Sequence, residues 1–232
     1  MKKKGSHRHK HTRPLRPLLS VSQNIVGSRI EHHWKEDGER GLVSRWTGTV
    51  LTQVSVDTSL FLVKYDGVDC VYGLRLFHDH RVRNLQLQPG RIASIRVRDA
   101  QLAPQLLGRS VLHLFQREDG SRDEWRGLVL SKAPNMPGWF FITYERDPML
   151  FMYQLIQDYR DGDLKILPET DSEGSPPAEA CVGLVGKQVE CSNTEGEMKT
   201  GKIIQQIESK PSVHLIKFHK DYHIYVYDML MS

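Results

Sequence analysis

Aromatic residues recur in this 232-residue chain at spacings that two stretches share. Trp34, Trp46, Tyr65 and Tyr72 in the first stretch match Phe115, Trp125, Tyr144 and Phe151 in the second. Trp46 to Tyr65 and Trp125 to Tyr144 are each 19 residues; Tyr65 to Tyr72 and Tyr144 to Phe151 are each seven. Aromatic faces carry negative quadrupole charge. Three or four of them turned inward make a site for a quaternary ammonium, which donates no hydrogen bonds, at about 0.5–2 kcal/mol per contact once water is excluded. Carboxylates near these rings, Asp147, Asp158 and Asp163 in the second stretch and Asp69 in the first, suit a cationic peptide. The plainer alternative is that the rings fill a core. Repetition alone does not separate a cage from a core, because core positions repeat too.

The elements that must hold these rings also repeat. Segments beginning at Gly27, Gly108 and Gly186 each run through a short alternating stretch to an acidic-Gly turn (Asp37-Gly38, Asp119-Gly120, Glu195-Gly196). Each resumes after a glycine: Gly48-Thr-Val-Leu, Gly127-Leu-Val-Leu, Gly201-Lys-Ile-Ile. Runs of four to seven residues rich in Val, Ile, Leu, Tyr and Phe, bounded by turn residues, read as strands, and Asp-Gly between two of them reads as a hairpin. Repeats of about 50–60 residues with four or five strands each predict an all-β protein of three small, strongly bent antiparallel barrels. One such unit alone buries little surface, whereas three in tandem can pack on one another. The expected division is a disordered basic tail over 1–26, repeat one over 27–97, a linker over 98–107 with a short helix from Arg98, repeat two over 108–168, a flexible acidic Pro/Ser linker over 169–182, and repeat three over 183–232.

Charge sharpens this division. The net +4 comes from 32 Lys and Arg against 28 Asp and Glu. Residues 1–26 hold seven of the bases and no acid, so the other 206 residues carry a net −3. An acidic body disfavours an extended duplex-DNA surface outside the tail. The tail itself suits nuclear import or weak DNA contact. No apolar run approaches the ~20 residues of a membrane span, and no signal-peptide pattern opens the chain. Cys70, Cys181 and Cys191 are too few and too scattered for a disulfide framework, so a reducing compartment is expected.

Runs such as Lys64-Tyr-Asp-Gly, Asp69-Cys-Val-Tyr-Gly-Leu, Asp123-Glu-Trp-Arg-Gly, Ile142-Thr-Tyr-Glu, Met152-Tyr-Gln-Leu and Phe218 through Asp228 resemble the spindlin family of Spin/Ssty-repeat proteins. The resemblance covers the chain from Asn24 to Ser232. Its divergent tail looks like that of a testis-expressed, sex-chromosome-linked member. The resemblance implies three Tudor-like barrels and a nuclear, non-enzymatic reader of methylated histone H3 tails that regulates transcription in gametogenesis. It places trimethylated lysine 4 between Phe115, Trp125, Tyr144 and Phe151, with Asp147, Asp158 and Asp163 toward the histone tail. Asymmetrically dimethylated arginine or a second methyl-lysine falls to Trp34, Trp46, Tyr65 and Tyr72, with Asp69 beside them. Phe151 stands where the family usually has Tyr, Gln116 where it has Glu, and Val68 where it has Phe. Repeat three has Cys191 and Thr200 at the first two cage positions, so it is expected to be structural or a surface for a protein partner of the spindlin-docking type.

Other chemistry is thinly supported. His7, His9 and His11 lie in the basic tail, and His214, His219 and His223 lack a paired cysteine motif, so no metal or cofactor is expected. Gly186-Lys187 lacks the first glycine and the Ser/Thr of a phosphate loop. No catalytic triad is visible in the linear sequence. Two rival readings stay open: a nucleic-acid-binding scaffold whose aromatics stack bases, and a protein scaffold with degenerate cages.

Overall fold

A computed structural model describes residues 24–37, 41–89, 97–168, 183–192 and 198–230. The expected tail falls almost wholly outside the described residues, as do the 169–182 linker and two of the three acidic-Gly turns. The third turn is described: Gly120 adopts φ +81°, and the Arg117 N–H donates to the Ser121 carbonyl at 2.8 Å.

Repeat one is a five-stranded antiparallel sheet. Its strands are β1 (Arg29–Lys35), β2 (Val43–Val54), β3 (Asp57–Tyr65), β4 (Val71–Leu74) and β5 (Val82–Gln88), in the order β4-β3-β2-β1-β5. Helix α1 (Val97–Leu106) follows and sets Ala103 and Leu106 in the core of repeat two. Repeat two comprises β6 (Ser110–Gln116), β7 (Arg122–Lys132), β8 (Phe140–Tyr144), β9 (Asp147–Tyr153), helix α2 (Leu155–Asp161) and β10 (Leu164–Ile166). Repeat three comprises β11 (Gln188–Ser192), β12 (Met198–Gln206), β13 (Val213–Phe218) and β14 (Tyr225–Asp228). Among the described residues the chain is thus all-β apart from two short helices. Repeats two and three are not separate sheets: β9 pairs with β14 through Met149 and Tyr225, which joins them into nine strands.

That junction is one of three alike. Cys70, Met149 and His223 occupy the same place in successive repeats, as do Tyr72, Phe151 and Tyr225. The bridges run Cys70 to Phe151, Met149 to Tyr225 and His223 to Tyr72. Each repeat therefore hands a backbone bridge to the next, and the third closes back on the first. Residues flanking the bridges follow the same path: the Met152 N–H donates to the Asp69 carbonyl at 2.9 Å, and the Gly73 N–H to the Tyr222 carbonyl at 2.7 Å.

The second strand of every repeat carries a bulge at the same place, between Val50 and Thr52, Val129 and Ser131, and Ile203 and Gln205. A bulge adds one residue and turns its side chain out of the regular alternation. The extra residues, Leu51, Leu130 and Ile204, all enter one core shared by the three repeats with Leu62, Phe141, Leu150 and Leu215. Neighbouring positions face the other way, so Val50 and Val63 fill the repeat-one barrel while Val129 and Ile142 fill that of repeat two. Each repeat has its own small core plus a share of a common one.

Candidate functional site

In repeat two the rings converge on Tyr144, which β8 delivers into the barrel. Trp125 on β7 meets Tyr144 edge-on, centroids 5.5 Å apart and planes at 89°. Phe115 at the end of β6 lies 5.8 Å from Tyr144, and Phe151 on β9 lies 5.4 Å from it. Tyr144 is fully buried as the floor, while Phe115, Trp125 and Phe151 are half-buried walls. The floor can sit this close because β7 has a glycine beneath it. A Cβ on Gly127 would lie 2.7 Å from the Thr143 carbonyl oxygen and 2.8 Å from the Tyr144 ring. The Trp125 indole N–H donates to Asp123 Oδ2 at 3.0 Å, and Asp123 is itself bound by Arg117 and Arg146. Those guanidiniums and the indole hold the Asp123 carboxyl down at about 2.

Two further ring-bearing residues complete this group, and the sequence reading missed both. Tyr153 packs 5.7 Å from Phe115 and stacks on Phe151 at 6.5 Å. His113, two residues before Phe115, bonds through Nδ1 to the Tyr144 hydroxyl at 2.7 Å, with its Nε2 3.5 Å from Asp158 Oδ2. Burial lowers His113 to about 4, so it is neutral near pH 7. With the Asp158 carboxylate on the Nε2 side the Nε2–H tautomer is favoured, and Nδ1 then accepts the Tyr144 O–H. His32 repeats the arrangement in repeat one, its Nε2 2.6 Å from the Tyr65 hydroxyl. A histidine two residues before the first aromatic of each set is the signal that could have found His113 and His32.

The acids do not all gather where the sequence pointed. Asp158 lies on α2 with its carboxyl raised to about 6, first by burial and then by the charges of Asp163 and Asp161. The short helix ends at Gly162 in the left-handed conformation, φ +82°, and the Asp163 N–H closes on the Asp158 carbonyl at 2.8 Å. That turn puts Asp163 where its charge reaches Asp158 and His113. Asp147 stands elsewhere: its carboxylate accepts the Met149 N–H and its charge acts on Tyr225 of repeat three. Asp69, expected in the repeat-one pocket, is absent from that cavity's lining and engages the Tyr153 hydroxyl of repeat two. The reason is the exchange of bridges, which carries the loop before β4 onto the neighbouring barrel.

The same exchange supplies repeat one. Its cavity, about 150 Å³, is lined by His32, Trp34, Trp46, Tyr65, Tyr72, Leu74 and, from repeat three, Tyr222. Trp46 and Tyr72 flank the buried Tyr65 at 5.1 and 5.6 Å, and Trp34 meets Tyr222 at 5.0 Å, nearly perpendicular. All four aromatics expected in this pocket are together. The loop bearing Tyr222 is tied by Lys217, whose ammonium donates to the Phe218 and Asp221 carbonyls; Lys64 ties the loop bearing Asp69 in the same way. Val68 packs only partly buried against the repeat-one core.

Repeat three brings Phe218, Tyr225 and Tyr227 together, at 5.3 and 6.1 Å from Phe218, around a smaller core with Cys191 at its margin. Among the described residues no group of three or more His, Cys, Asp or Glu side chains could hold a metal, and no helix is long and apolar enough to cross a membrane.

The sequence model of the Spin/Ssty Family matches this chain three times, over residues 26–77, 107–156 and 185–230, one match per repeat. The chain belongs to the spindlin (Spin/Ssty) family. It is 52% identical to human (Homo sapiens) Spindlin-3 over 237 residues, covering 100% of this chain and 89% of that protein. It is 52% identical to human Spindlin-2A over 220 residues, covering 93% and 84%. Against mouse (Mus musculus) Spindlin-2C it is 50% identical over 234 residues, covering 99% and 88%.

Proposed function

We propose that this spindlin-family chain reads methylated histone H3 tails. Repeat two takes trimethylated lysine 4 between Phe115, Trp125, Tyr144 and Phe151, and repeat one takes asymmetrically dimethylated arginine or a second methyl-lysine. The observation that carries the reading is the edge-to-face convergence of Phe115, Trp125 and Phe151 on Tyr144, each 5.4–5.8 Å from it or, for Phe115, from Trp125 at 5.9 Å. Rings filling a core would bury all their area; here the floor is buried and the walls stay half-exposed with carboxylates beside them. A trimethylammonium needs that combination of apolar faces and nearby negative charge. Asp158 and Asp163 serve the basic tail at the rim, with Asp69 joining them from repeat one. The acidic body suits such a ligand, and the basic N-terminal tail suits nuclear import and weak DNA contact. Transcriptional regulation in gametogenesis and a spindlin-docking-type partner on repeat three belong to the same proposal.

Calorimetric titration with H3 tail peptides tests the reading. A preference of tenfold or more, about 1.4 kcal/mol, is expected for trimethylated over unmodified lysine 4. Equal binding would leave a scaffold with degenerate cages.

Binding is also expected to depend on pH through Asp158. Its folded value of about 6 lies above that of a free carboxyl, so the ionised form is the disfavoured one. A cation bound beside it restores ionisation, and affinity rises with pH through about 6 and levels off above. Between pH 7.5 and 5 the loss is expected to reach about tenfold, one unit being about 1.4 kcal/mol. His113, at about 4, stays neutral across this range. Asp158→Asn is expected to flatten the profile; an unchanged slope in that variant would remove Asp158 from the ligand's field.

A further inference from the structure

One side chain lies against both the ring that repeat three lends to the repeat-one pocket and its neighbour Trp34. The Arg81 guanidinium carbon lies 5.0 Å from the Trp34 ring centroid and 4.9 Å from that of Tyr222. Arg81 does not line the cavity; it stacks against both rings from beside it. Its position is fixed on every side. Nε and Nη2 donate to the two Asp79 carboxylate oxygens, each at 2.8 Å, and Nη1 donates to Asp37 Oδ2 at 3.3 Å. Its carbonyl accepts the Lys35 N–H, one residue beyond Trp34, at 2.9 Å. Burial would raise the Asp79 carboxyl, but the guanidinium outweighs it and keeps the acid below its ordinary value, so the pair stays charged.

Trp34 and Tyr222 are 188 residues apart and have no strand pairing to each other. Tyr222 hangs on a loop held through its carbonyl by Gly73. A planar cation is well suited to this place, because guanidinium stacks on aromatic faces while its edge forks onto a carboxylate. An ammonium can do one of these at a time.

We infer that Arg81 is a positioning residue of the repeat-one pocket, clamping Trp34 of repeat one to Tyr222 of repeat three so that the two rings form one wall. This rests on the reading of that pocket as a methyl-mark site. The clamp makes ligand binding in repeat one depend on repeat three, where Cys191 and Thr200 stand at the first two ring positions.

The test uses the full chain with Arg81→Gln and Arg81→Lys. The probe is an H3 tail peptide trimethylated at lysine 4, with and without asymmetrically dimethylated arginine. The gain in affinity from the second mark reports repeat one, and the lysine-4 term reports repeat two and shows that each variant is folded. In the parent a gain of about tenfold is expected. In Arg81→Gln it falls below about twofold with the lysine-4 term intact, and Arg81→Lys fails to restore it, since charge without a planar fork does not bridge both rings. The Trp34 indole N–H resonance, assigned through Trp34→Phe, is expected to shift in both variants. A Gln variant that keeps the full gain with the Trp34 signal unmoved overturns the clamp. If the parent gains nothing from the second mark, the methyl-mark reading of the pocket fails. The Trp34 resonance then decides the clamp alone: moved, it supports it, and unmoved, it overturns it.

Discussion

Trp125→Ala is expected to abolish the preference for trimethylated over unmodified lysine 4 while leaving the protein folded. Trp125 presents the largest face in the repeat-two group, set at 89° to Tyr144 and 5.9 Å from Phe115. A desolvated cation over a tryptophan face contributes about 2 kcal/mol, and each 1.4 kcal/mol is tenfold. The marked peptide should therefore weaken about 10- to 100-fold, and the unmarked one by less than about threefold, since its lysine gains little from the ring. The fold should tolerate the change: Trp125 is half-buried, outside the core shared by the three repeats, and its N–H partner Asp123 keeps Arg117 and Arg146. Trp46→Ala in repeat one is the matched control and should leave the lysine-4 preference in place. Calorimetry on the two variants checks this, and an undiminished preference in Trp125→Ala would move the site away from repeat two.

The parts of this site that were legible in the sequence are those fixed within one repeat. Strand pairs set the distances between Trp125, Tyr144 and Phe151, and the repeat carries those distances from one barrel to the next, so matched spacing finds these rings; Phe115, 10 residues before Trp125 where Trp34 is 12 before Trp46, is found by its place before the turn. What crosses between repeats leaves no period. Tyr222 and Asp69 precede the bridging positions His223 and Cys70, yet each works on a barrel other than its own, and spacing says nothing of which loop faces which neighbour. Asp158 and Asp163 were readable as acids near the cage. What spacing did not show is the seven-residue helix that ends in the turn before Asp163 and sets Asp158 against His113. The shared core was hidden for another reason. Leu51, Leu130 and Ile204 look like alternate members of ordinary strands, and only the bulge beside each turns it toward the common centre.

Phe141→Ala is expected to destabilise all three repeats together by about 3–5 kcal/mol, the usual cost of emptying a buried phenylalanine site. Phe141 belongs to β8 of repeat two, but its side chain, 1% exposed, lies in the shared core with Leu51 and Leu62 of repeat one and Leu215 and Val226 of repeat three. A total stability of about 5–15 kcal/mol makes that loss a large fraction of the whole. If the repeats were independent, the damage would stay in repeat two. The closed chain of bridges, Cys70–Phe151, Met149–Tyr225 and His223–Tyr72, argues against independence, because unfolding one repeat opens backbone hydrogen bonds in both others. Small barrels of this size also bury so little surface that each alone would be marginal. Denaturant unfolding followed by tryptophan emission separates the cases, with Trp34 and Trp46 reporting repeat one and Trp125 and Trp139 reporting repeat two in paired Trp→Phe variants. The midpoints are expected to move together in Phe141→Ala. A repeat-one midpoint that stays at its parent value would show that the core is shared in space but not in free energy. Coincident midpoints would make the repeat-one pocket, whose wall includes Tyr222, a property of the whole assembly rather than of the barrel that contains it.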